Sequence, residues 1–323
     1  MSIQAFSLEE EVTDISVGGD WDVVIIGAGP AGLTAGIYST RMGLKTLIIE
    51  KASPGGKVLL NPWIENYLGF PGIKGDELAS RFAEHAKASG VIILSPVEAK
   101  EVRINENSFQ VVADSETFNT KAVIFATGGK ERKLNVPGEE EFYGRGVSYC
   151  TICDGPLFRD KVVAVIGGGN SAVTSAIYLT EFAKEVYLIH RRNDLRAERA
   201  LIDKLFQANV RIIWNTVIKA INGRRNVEGI RIYNKIDGKE SILKVDGVFI
   251  NIGYEPNSEI AVKMGVKVDE RGYIITNRWM ETNVPGIFAA GDVTGKPEQI
   301  AKAVGEGTVA ALSAYEYITG GVL

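Results

Sequence analysis

A glycine-rich turn occurs twice in this chain, each time between an apolar run and a helix-like stretch. The first turn, residues 27–32, follows the apolar run 22–26, and the second turn, residues 167–172, follows the run 162–166. The turns begin at residues 27 and 167, and their flanking sequences match at the same offset. A strand, a glycine turn and a helix are the parts of a βαβ unit, so the chain is predicted to contain two such units.

Each position of the turn has a physical role. The first glycine allows a tight turn, the second lets backbone N–H groups approach a pyrophosphate, and the third position brings the helix close to the strand. The pyrophosphate lies at the positive end of the helix. For either copy, a purely structural turn is the alternative. The predicted nucleotide contacts are Gly27, Gly29, Pro30, Ala31, Gly32, Gly168, Gly169, Asn170, Ser171 and Ala172.

The residue that ends the second strand of each unit selects the nucleotide. In the first unit this residue is Glu50, whose carboxylate would accept hydrogen bonds from ribose hydroxyls and repel a 2′-phosphate. The equivalent position of the second unit holds His190, Arg191 and Arg192, with Arg196 nearby. Guanidinium groups match phosphate oxygens in geometry and charge. The first site is therefore predicted to bind FAD or NAD and the second NADP, with a solvated basic turn as the alternative for the second.

The chain has two cysteines, Cys150 and Cys153, which lie just before the second glycine turn. A zinc site needs four ligands, and no second cysteine pair supplies them, so no metal site is predicted. A structural disulfide across so short a loop would stabilise the fold by only about 2 kcal/mol. A redox-active dithiol is favoured over both alternatives.

An acid stands next to this pair. Opening a disulfide releases a thiolate that must later be protonated, and closing it requires deprotonation. No histidine is close in sequence, so Asp154 is predicted to perform this proton transfer. Asp154 also suits the start of a turn with Gly155 and Pro156, and the two roles are compatible.

Composition favours a globular enzyme of two domains. A single core would be at its upper size limit in 323 residues, and the net charge of −4 gives no reason to expect a nucleic acid or an anionic membrane as partner. No apolar run reaches membrane-spanning length. The first residues are acidic and do not resemble a signal peptide, so a cytoplasmic location is expected.

The order of segments predicts an interrupted domain. The expected fold class is α/β, with two Rossmann-like three-layer dinucleotide-binding domains, the second inserted into the first. Residues 1–19 are expected to be an N-terminal extension, 20–130 and 255–323 the FAD-binding domain, and 131–254 the NADPH-binding domain with the cysteine pair. A late apolar run delivers Asp292 to a strand end, where open α/β sheets bind ligands, so Asp292 is a candidate contact for a ribityl chain.

Together these motifs resemble the low-molecular-weight NADPH-dependent thioredoxin reductases, over nearly everything after residue 20. The motifs are GAGPAG, ATGG, CTICD, GGGNSA, HRR, GYEPN and AAGD. The resemblance implies bound FAD and NADPH, a homodimer, and a thioredoxin or glutaredoxin-like dithiol protein as partner. It also implies that Cys153 faces the flavin and Cys150 attacks the partner. The further cofactor contacts that it implies are Lys51, Gly56, Lys57, Asn66, Ala126, Thr127, Gly128, Gly291, Gln299 and Ile300.

Three places depart from the pattern of that family. Lys57 stands where glutamine is usual, Thr174 and Ser175 replace acidic residues, and Leu157 follows the dithiol where aromatic residues are common. None of these changes removes a reacting group. They affect the expected flavin contact, the placing of the nicotinamide and the choice of partner.

The layout predicts a domain movement. The dithiol and the NADPH site belong to one domain, yet both must reach the same flavin, so this domain is expected to rotate about residues 128–133 and 253–257. Two other functions stay open on the same scaffold, an NAD(P)H or dithiol oxidase and a non-catalytic flavin-binding sensor. A reductase of a peroxidase system would need an additional domain.

Overall fold

The computed structural model describes residues 19–106, 108–114 and 116–321. The expected N-terminal extension, residues 1–19, lies outside this part except for residue 19. The first part of the chain begins with alternating strands and helices and continues with four consecutive strands. A 3₁₀ helix, Gly56–Leu60, follows the second strand. The elements are β1 (Asp20–Ile26), α1 (Pro30–Arg41), β2 (Thr46–Ile49), α2 (Gly75–Ala88), β3 (Ile92–Leu94), β4 (Ala99–Ile104), β5 (Phe109–Ala113) and β6 (Glu116–Phe125).

The second nucleotide-binding pattern lies in the middle of the chain. Its elements are β7 (Gly129–Glu131), β8 (Val147–Ser148), α3 (Thr151–Asp154), β9 (Val162–Gly167), α4 (Asn170–Leu179), β10 (Glu185–Ile189), α5 (Arg199–Gln207), β11 (Val210–Ile213), β12 (Thr216–Gly223), β13 (Val227–Asn234), β14 (Glu240–Leu243), β15 (Gly247–Asn251) and β16 (Tyr254–Pro256). The last elements are α6 (Glu259–Lys263), β17 (Ile287–Ala289) and α7 (Ile300–Thr319).

The first sheet joins the two ends of the described chain. Its order is β3-β2-β1-β6-β5-β4, and β17 also pairs with β6. The strands β1, β2, β3, β17 and the second half of β6 run parallel, whereas β4 and β5 extend the sheet antiparallel from the first half of β6. Because β17 comes after the whole second unit, the first unit is completed only by the end of the chain.

The second sheet has five parallel strands in the order β11-β10-β9-β15-β8. The strands β12, β13 and β14 form a separate antiparallel sheet. Between the two units, β7 and β16 pair antiparallel, so the two segments that cross between the units are hydrogen-bonded to each other. The α/β class with two Rossmann-like units is confirmed by this topology.

Burial on both faces explains the continuous apolar runs of the parallel strands. In β1, Val23 and Ile25 pack into one core and Val24 and Ile26 into another on the opposite face. Successive side chains of a strand point to opposite faces, so a strand covered on both sides is apolar at every position. In the described part of the chain, no helix is both long and apolar enough to cross a membrane.

Candidate nucleotide and disulfide sites

The first glycine turn leaves its middle glycine open and packs the other two. Gly27 has a φ of +105°, and a Cβ there would lie 2.4 Å from the Ala126 carbonyl oxygen. A Cβ on Gly32 would lie 1.9 Å from the Gly27 carbonyl oxygen, whereas one on Gly29 would meet nothing within 4 Å. The outer glycines are therefore required by packing, and the backbone at Gly29 is accessible to a phosphate group at the start of α1.

The second turn repeats this arrangement. Gly167 has a φ of +154°, and a Cβ there would lie 2.2 Å from the Asn251 carbonyl oxygen, while Gly169 is open. Asn170 and Ser171 begin α4, and Ala172 is fully buried. Both turns thus fit a pyrophosphate, and each follows the carboxyl end of a strand, β1 or β9.

Glu50 binds the first turn from the end of β2. Its Oε2 accepts a hydrogen bond from the Ala28 backbone N–H at 2.7 Å, and its Oε1 accepts one from Ala52 at 2.9 Å. A carboxylate has about four lone-pair sites, so both oxygens can accept further hydrogen bonds. The position and chemistry of Glu50 fit a ribose as the predicted ligand.

The basic cluster of the second unit divides into exposed arginines and a buried histidine. Arg191, Arg192 and Arg196 are exposed, and the Arg196 N–H donates to the Gly168 carbonyl at 2.7 Å, which places this arginine beside the turn. In the described part of the chain, no ion pair joins these three guanidinium groups to a carboxylate. They are available to a phosphate.

His190 lies under the second turn and is only 4% exposed. Its ring is so close to Gly168 that a Cβ there would lie 2.3 Å from the imidazole. Burial lowers the pKa of His190, and the positive charges of the three neighbouring arginines lower it further, although a hydrogen bond with the Gly167 backbone opposes the shift. The His190 ring therefore packs on the buried side of the turn, and the three arginines lie on the exposed side.

The cysteines form a disulfide at the start of α3. Cys153 is exposed and Cys150 is half-buried. The Cys150 N–H donates to Ser148 Oγ at 3.0 Å, and Thr151 Oγ1 donates to Ser175 Oγ of α4 at 2.9 Å. The disulfide is thereby fixed to the helix that follows the second glycine turn. Ser175, one of the departures from the family pattern, has this buried hydroxyl contact.

Asp154 ends α3 and is half-buried. Its N–H donates to the Cys150 carbonyl at 3.2 Å, which keeps it adjacent to the disulfide. Leu157, three residues further on, is 71% exposed. An apolar side chain is therefore available on the surface next to the disulfide.

Elements of the first unit meet the disulfide helix. α3 contacts the 3₁₀ helix Gly56–Leu60, which contains Lys57. Lys57 Nζ lies 2.6 Å from Oδ2 of Asp292, which belongs to the 3₁₀ helix Gly291–Thr294 that follows β17. The predicted contact Gly56 packs on the first turn, since a Cβ on it would lie 3.1 Å from Gly29 Cα.

The other predicted FAD contacts lie at the ends of strands or at the start of α7. Thr127, after β6, donates through Oγ1 to the Asn257 carbonyl at 2.6 Å, and Asn257 Nδ2 donates back to the Thr127 carbonyl at 2.9 Å. Lys51 is exposed after β2. The remaining residues at these ends are Ala126, Gly128, Gly291, Gln299 and Ile300. These residues thus follow strands of the first sheet or stand at the start of α7.

Asn66 joins the two nucleotide sites. Its Nδ2 donates to Gln299 Oε1 and to Glu198 Oε1, each at 3.3 Å. Glu198 in turn accepts a hydrogen bond from Asn170 Nδ2 of the second turn at 2.8 Å. A chain of side chains therefore runs from one predicted cofactor site to the other, although the separate residues were assigned to FAD or to NADPH alone.

Several supporting residues were not predicted. Lys302 Nζ donates to the carbonyls of Gly291 and Gly295, and it forms an ion pair with Glu306 at 3.0 Å. Glu306 also accepts a hydrogen bond from the Gly291 N–H at 2.8 Å. The i,i+4 spacing of this lysine and glutamate was the available signal. The pair fixes the segment that carries Asp292.

Among the residues that the structure describes, no cluster of histidine, cysteine and acidic side chains is arranged to hold a metal ion. The acidic residues at the first site are instead bonded to backbone N–H groups, as for Glu50, or to lysines, as for Asp292 and Glu306.

Comparisons with known proteins agree with this geometry. A family model described as pyridine nucleotide-disulphide oxidoreductase matches residues 21–307. A thioredoxin reductase of Listeria innocua is 44% identical over 301 residues, which cover 92% of this chain and 94% of that protein.

Two solved structures show the same fold. Lactococcus lactis thioredoxin reductase in its FR conformation matches with a TM-score of 0.91 and 40% identity, over 93% of this chain and 100% of the other. Streptococcus pyogenes thioredoxin reductase has 41% identity over 93% of this chain and 99% of the other, with a TM-score of 0.61. The chain therefore belongs to the pyridine nucleotide-disulphide oxidoreductase family, among its low-molecular-weight thioredoxin reductases.

Proposed function

We propose that this protein passes electrons from NADPH, through FAD and the Cys150–Cys153 disulfide, to the disulfide of a thioredoxin-like protein. The observation that carries the proposal is the position of the disulfide. It is attached to the unit with the basic nucleotide site, and its helix contacts the first unit beside Lys57 and Asp292.

The residues present fit both cofactors. FAD would be held by the first turn, Glu50 and the strand ends near Thr127 and Asp292, and NADPH by the second turn and the three arginines. When bound, the flavin supplies a carrier that takes two electrons from a nicotinamide and gives them to a disulfide.

The chain's own residues then complete the exchange. Once the disulfide is reduced, the Cys150 thiolate attacks the partner's disulfide and releases one partner thiolate. Cys153 then attacks Cys150, which releases the second partner thiolate and restores the Cys150–Cys153 bond. Asp154, adjacent to the pair, holds the proton that the flavin-side sulfur takes up or gives away.

The unit that carries the disulfide rotates between two positions. The β7–β16 ribbon is the part about which it turns, and residues 131–254 are the part that moves. Two solved relatives of nearly equal identity and coverage match this structure with TM-scores of 0.91 and 0.61, and a changed placement of the two units would account for such a difference. The protein acts as a homodimer in the cytoplasm.

The test is anaerobic. Purified holoprotein is mixed with NADPH, and a panel of oxidised thioredoxin-like and glutaredoxin-like proteins is added. We expect thiols to appear in at least one thioredoxin-like protein, and the Cys150→Ser/Cys153→Ser variant to lose this activity while keeping its flavin. Rapid oxygen consumption by the aerobic protein, without reduction of any protein disulfide, would instead identify an oxidase.

A further inference from the structure

A lysine holds a fixed position at the edge of the proposed flavin site. Lys57 Nζ lies 2.6 Å from Asp292 Oδ2 and 4.0 Å from Glu298 Oε2. It also lies 3.7 Å from the centre of the Tyr254 ring. The Lys57 side chain is only 23% exposed. Two carboxylates and an aromatic face thus fix the ammonium, and solvent screens it little.

The backbone around Lys57 lies on the first glycine turn. The Gly55 N–H donates to the Ala28 carbonyl at 2.8 Å, and Gly56 packs on Gly29. The Lys57 side chain reaches from there to Asp292 at the end of β17. It therefore follows the carboxyl edge of the sheet, where open α/β sheets bind their ligands.

The disulfide helix identifies which end of the flavin is nearby. α3, which begins after Cys150, contacts the same 3₁₀ helix that contains Lys57. A flavin that exchanges electrons with this disulfide must direct its reacting ring towards α3. Lys57 is thus near the ring rather than near the adenine end of the cofactor.

The two carboxylates beside Lys57 outnumber its single positive charge. Asp292 and Glu298 bring two negative charges, and Lys57 brings one positive charge. A bound flavin that took up a hydride from NADPH would gain one negative charge, and NADP⁺ would leave. Two carboxylates alone would disfavour that charge, and a cation beside the ring favours it.

We infer that Lys57 raises the two-electron reduction potential of the bound flavin by offsetting the carboxylates of Asp292 and Glu298. The inference rests on the proposed function, because it requires a flavin in the first unit. Tyr254 supports the arrangement as a neutral surface. Burial, together with the charges of Glu131, Glu298 and Asp292, raises its pKa, so the phenol keeps its proton.

The experiment measures the flavin potential directly. The Cys150→Ser/Cys153→Ser holoprotein serves as the parent, so that the flavin alone takes up electrons. It is titrated anaerobically against a dye of known potential. We expect Lys57→Met to lower the equilibrium constant for reduction at least tenfold, or about 30 mV for two electrons. Lys57→Arg should keep the flavin potential close to that of the parent, because the positive charge is kept. Glu298→Gln should raise the potential, because it removes a negative charge.

A matched control comes from the other end of the same sheet. Lys121 pairs with Asp22 at 2.8 Å, so Lys121→Gln removes a similar lysine–aspartate pair far from the strand ends that carry the site. We expect it to leave the flavin potential unchanged.

The outcomes separate the possible results. An unchanged potential in Lys57→Met, or shifts of the same sign in Lys57→Met and Glu298→Gln, would overturn the inference and leave Lys57 with a purely structural role. If Lys57→Met does not retain flavin, Glu298→Gln decides, and an unchanged potential there also overturns it. Failure of the wild type to reduce any thioredoxin-like protein would count against the proposed function, but not against a measured potential shift.

Discussion

The two nucleotide-binding units share one backbone design and differ in the residue that supports the turn. In the first unit, Glu50 accepts a hydrogen bond from the Ala28 N–H. In the second, the equivalent His190 packs its ring on Gly168. A carboxylate can bond to the backbone beside an alanine methyl, but an imidazole in the same place leaves no room for one.

Glu50 combines two roles, support of the turn and binding of the ligand, which different residues take in the second unit. In the first unit one carboxylate both supports the turn and faces the predicted ribose. In the second, His190 gives support from inside while Arg191, Arg192 and Arg196 stay exposed for a phosphate. We propose that the second unit selects a different nucleotide because a buried residue supports its turn and exposed residues are left to bind the ligand.

Removing two of the exposed arginines is the largest test of this division. We expect Arg191→Ala/Arg192→Ala to weaken NADPH binding at least about 100-fold, since each charged hydrogen bond contributes roughly 1.5–3 kcal/mol. NADH binding should change little, because NADH lacks the 2′-phosphate. The measurement is a titration of each nucleotide, with Arg211→Ala, an exposed arginine of the same unit that pairs with Glu185, as the control. Equal losses for both nucleotides would contradict the assignment.

Exchanging the second residue of each glycine turn is the second test. Gly168→Ala forces a methyl group against the His190 ring, and we expect overpacking to lower the free energy of unfolding by about 2 kcal/mol. In the His190→Ala background the same Gly168→Ala change should cost much less, because the methyl group then meets no ring. The mirror change, Ala28→Gly, meets no such obstacle and should cost about 1 kcal/mol or less. Urea denaturation measures all three. A similar cost for Gly168→Ala with and without His190 would show that the ring is not the cause.

The pH dependence of folding stability gives a third test, because His190 titrates differently in the folded and unfolded chains. Its folded-state pKa lies below the ordinary 6.5, so below that pH the unfolded chain binds more protons than the folded one. This contribution to stability is therefore present above pH 6.5 and is lost as the pH falls towards the lowered value. We expect His190→Gln to make stability less dependent on pH in that window. An unchanged pH profile would mean that His190 titrates alike in both states.

The smallest expected effect concerns the contact between the units. Lys204 of α5 pairs with Glu65 of the first unit at 2.5 Å, and this hydrogen bond lowers the pKa of the Glu65 carboxyl despite some burial. Glu65→Gln should shift the balance between the two positions of the second unit by less than fivefold, because exposed ion pairs contribute at most about 1 kcal/mol. Small-angle X-ray scattering with and without NADPH measures the shift. The control is Arg81→Gln, which removes an exposed pair within α2.

Much of the fold follows from local patterns in the sequence. The apolar runs before the two turns predicted β1 and β9, and the late run before Asp292 predicted a strand at the position of β17. These predictions succeed because strands covered on both faces are apolar at every position. The domain limits and the roles of the site residues stay predictions.

What sequence did not predict are contacts between distant side chains. Asn66 and Glu198 are far apart along the chain, as are Lys57 and Asp292, and no periodic pattern relates them. The burial of His190 is a second case. A polar residue after a strand has the same sequence signature whether its ring points inward or outward. The glycine at position 168 was the one local sign that a bulky ring lies beneath.

The β7–β16 ribbon has a mechanical consequence. Two linkers without hydrogen bonds between them would let the inserted unit take many orientations relative to the first unit. Links joined by backbone hydrogen bonds, as where the Arg132 N–H donates to the Gly253 carbonyl and the Asn257 N–H donates to the Gly128 carbonyl, must twist together. We propose that the ribbon acts as a single hinge, so that the inserted unit would return to the same two positions at every turnover.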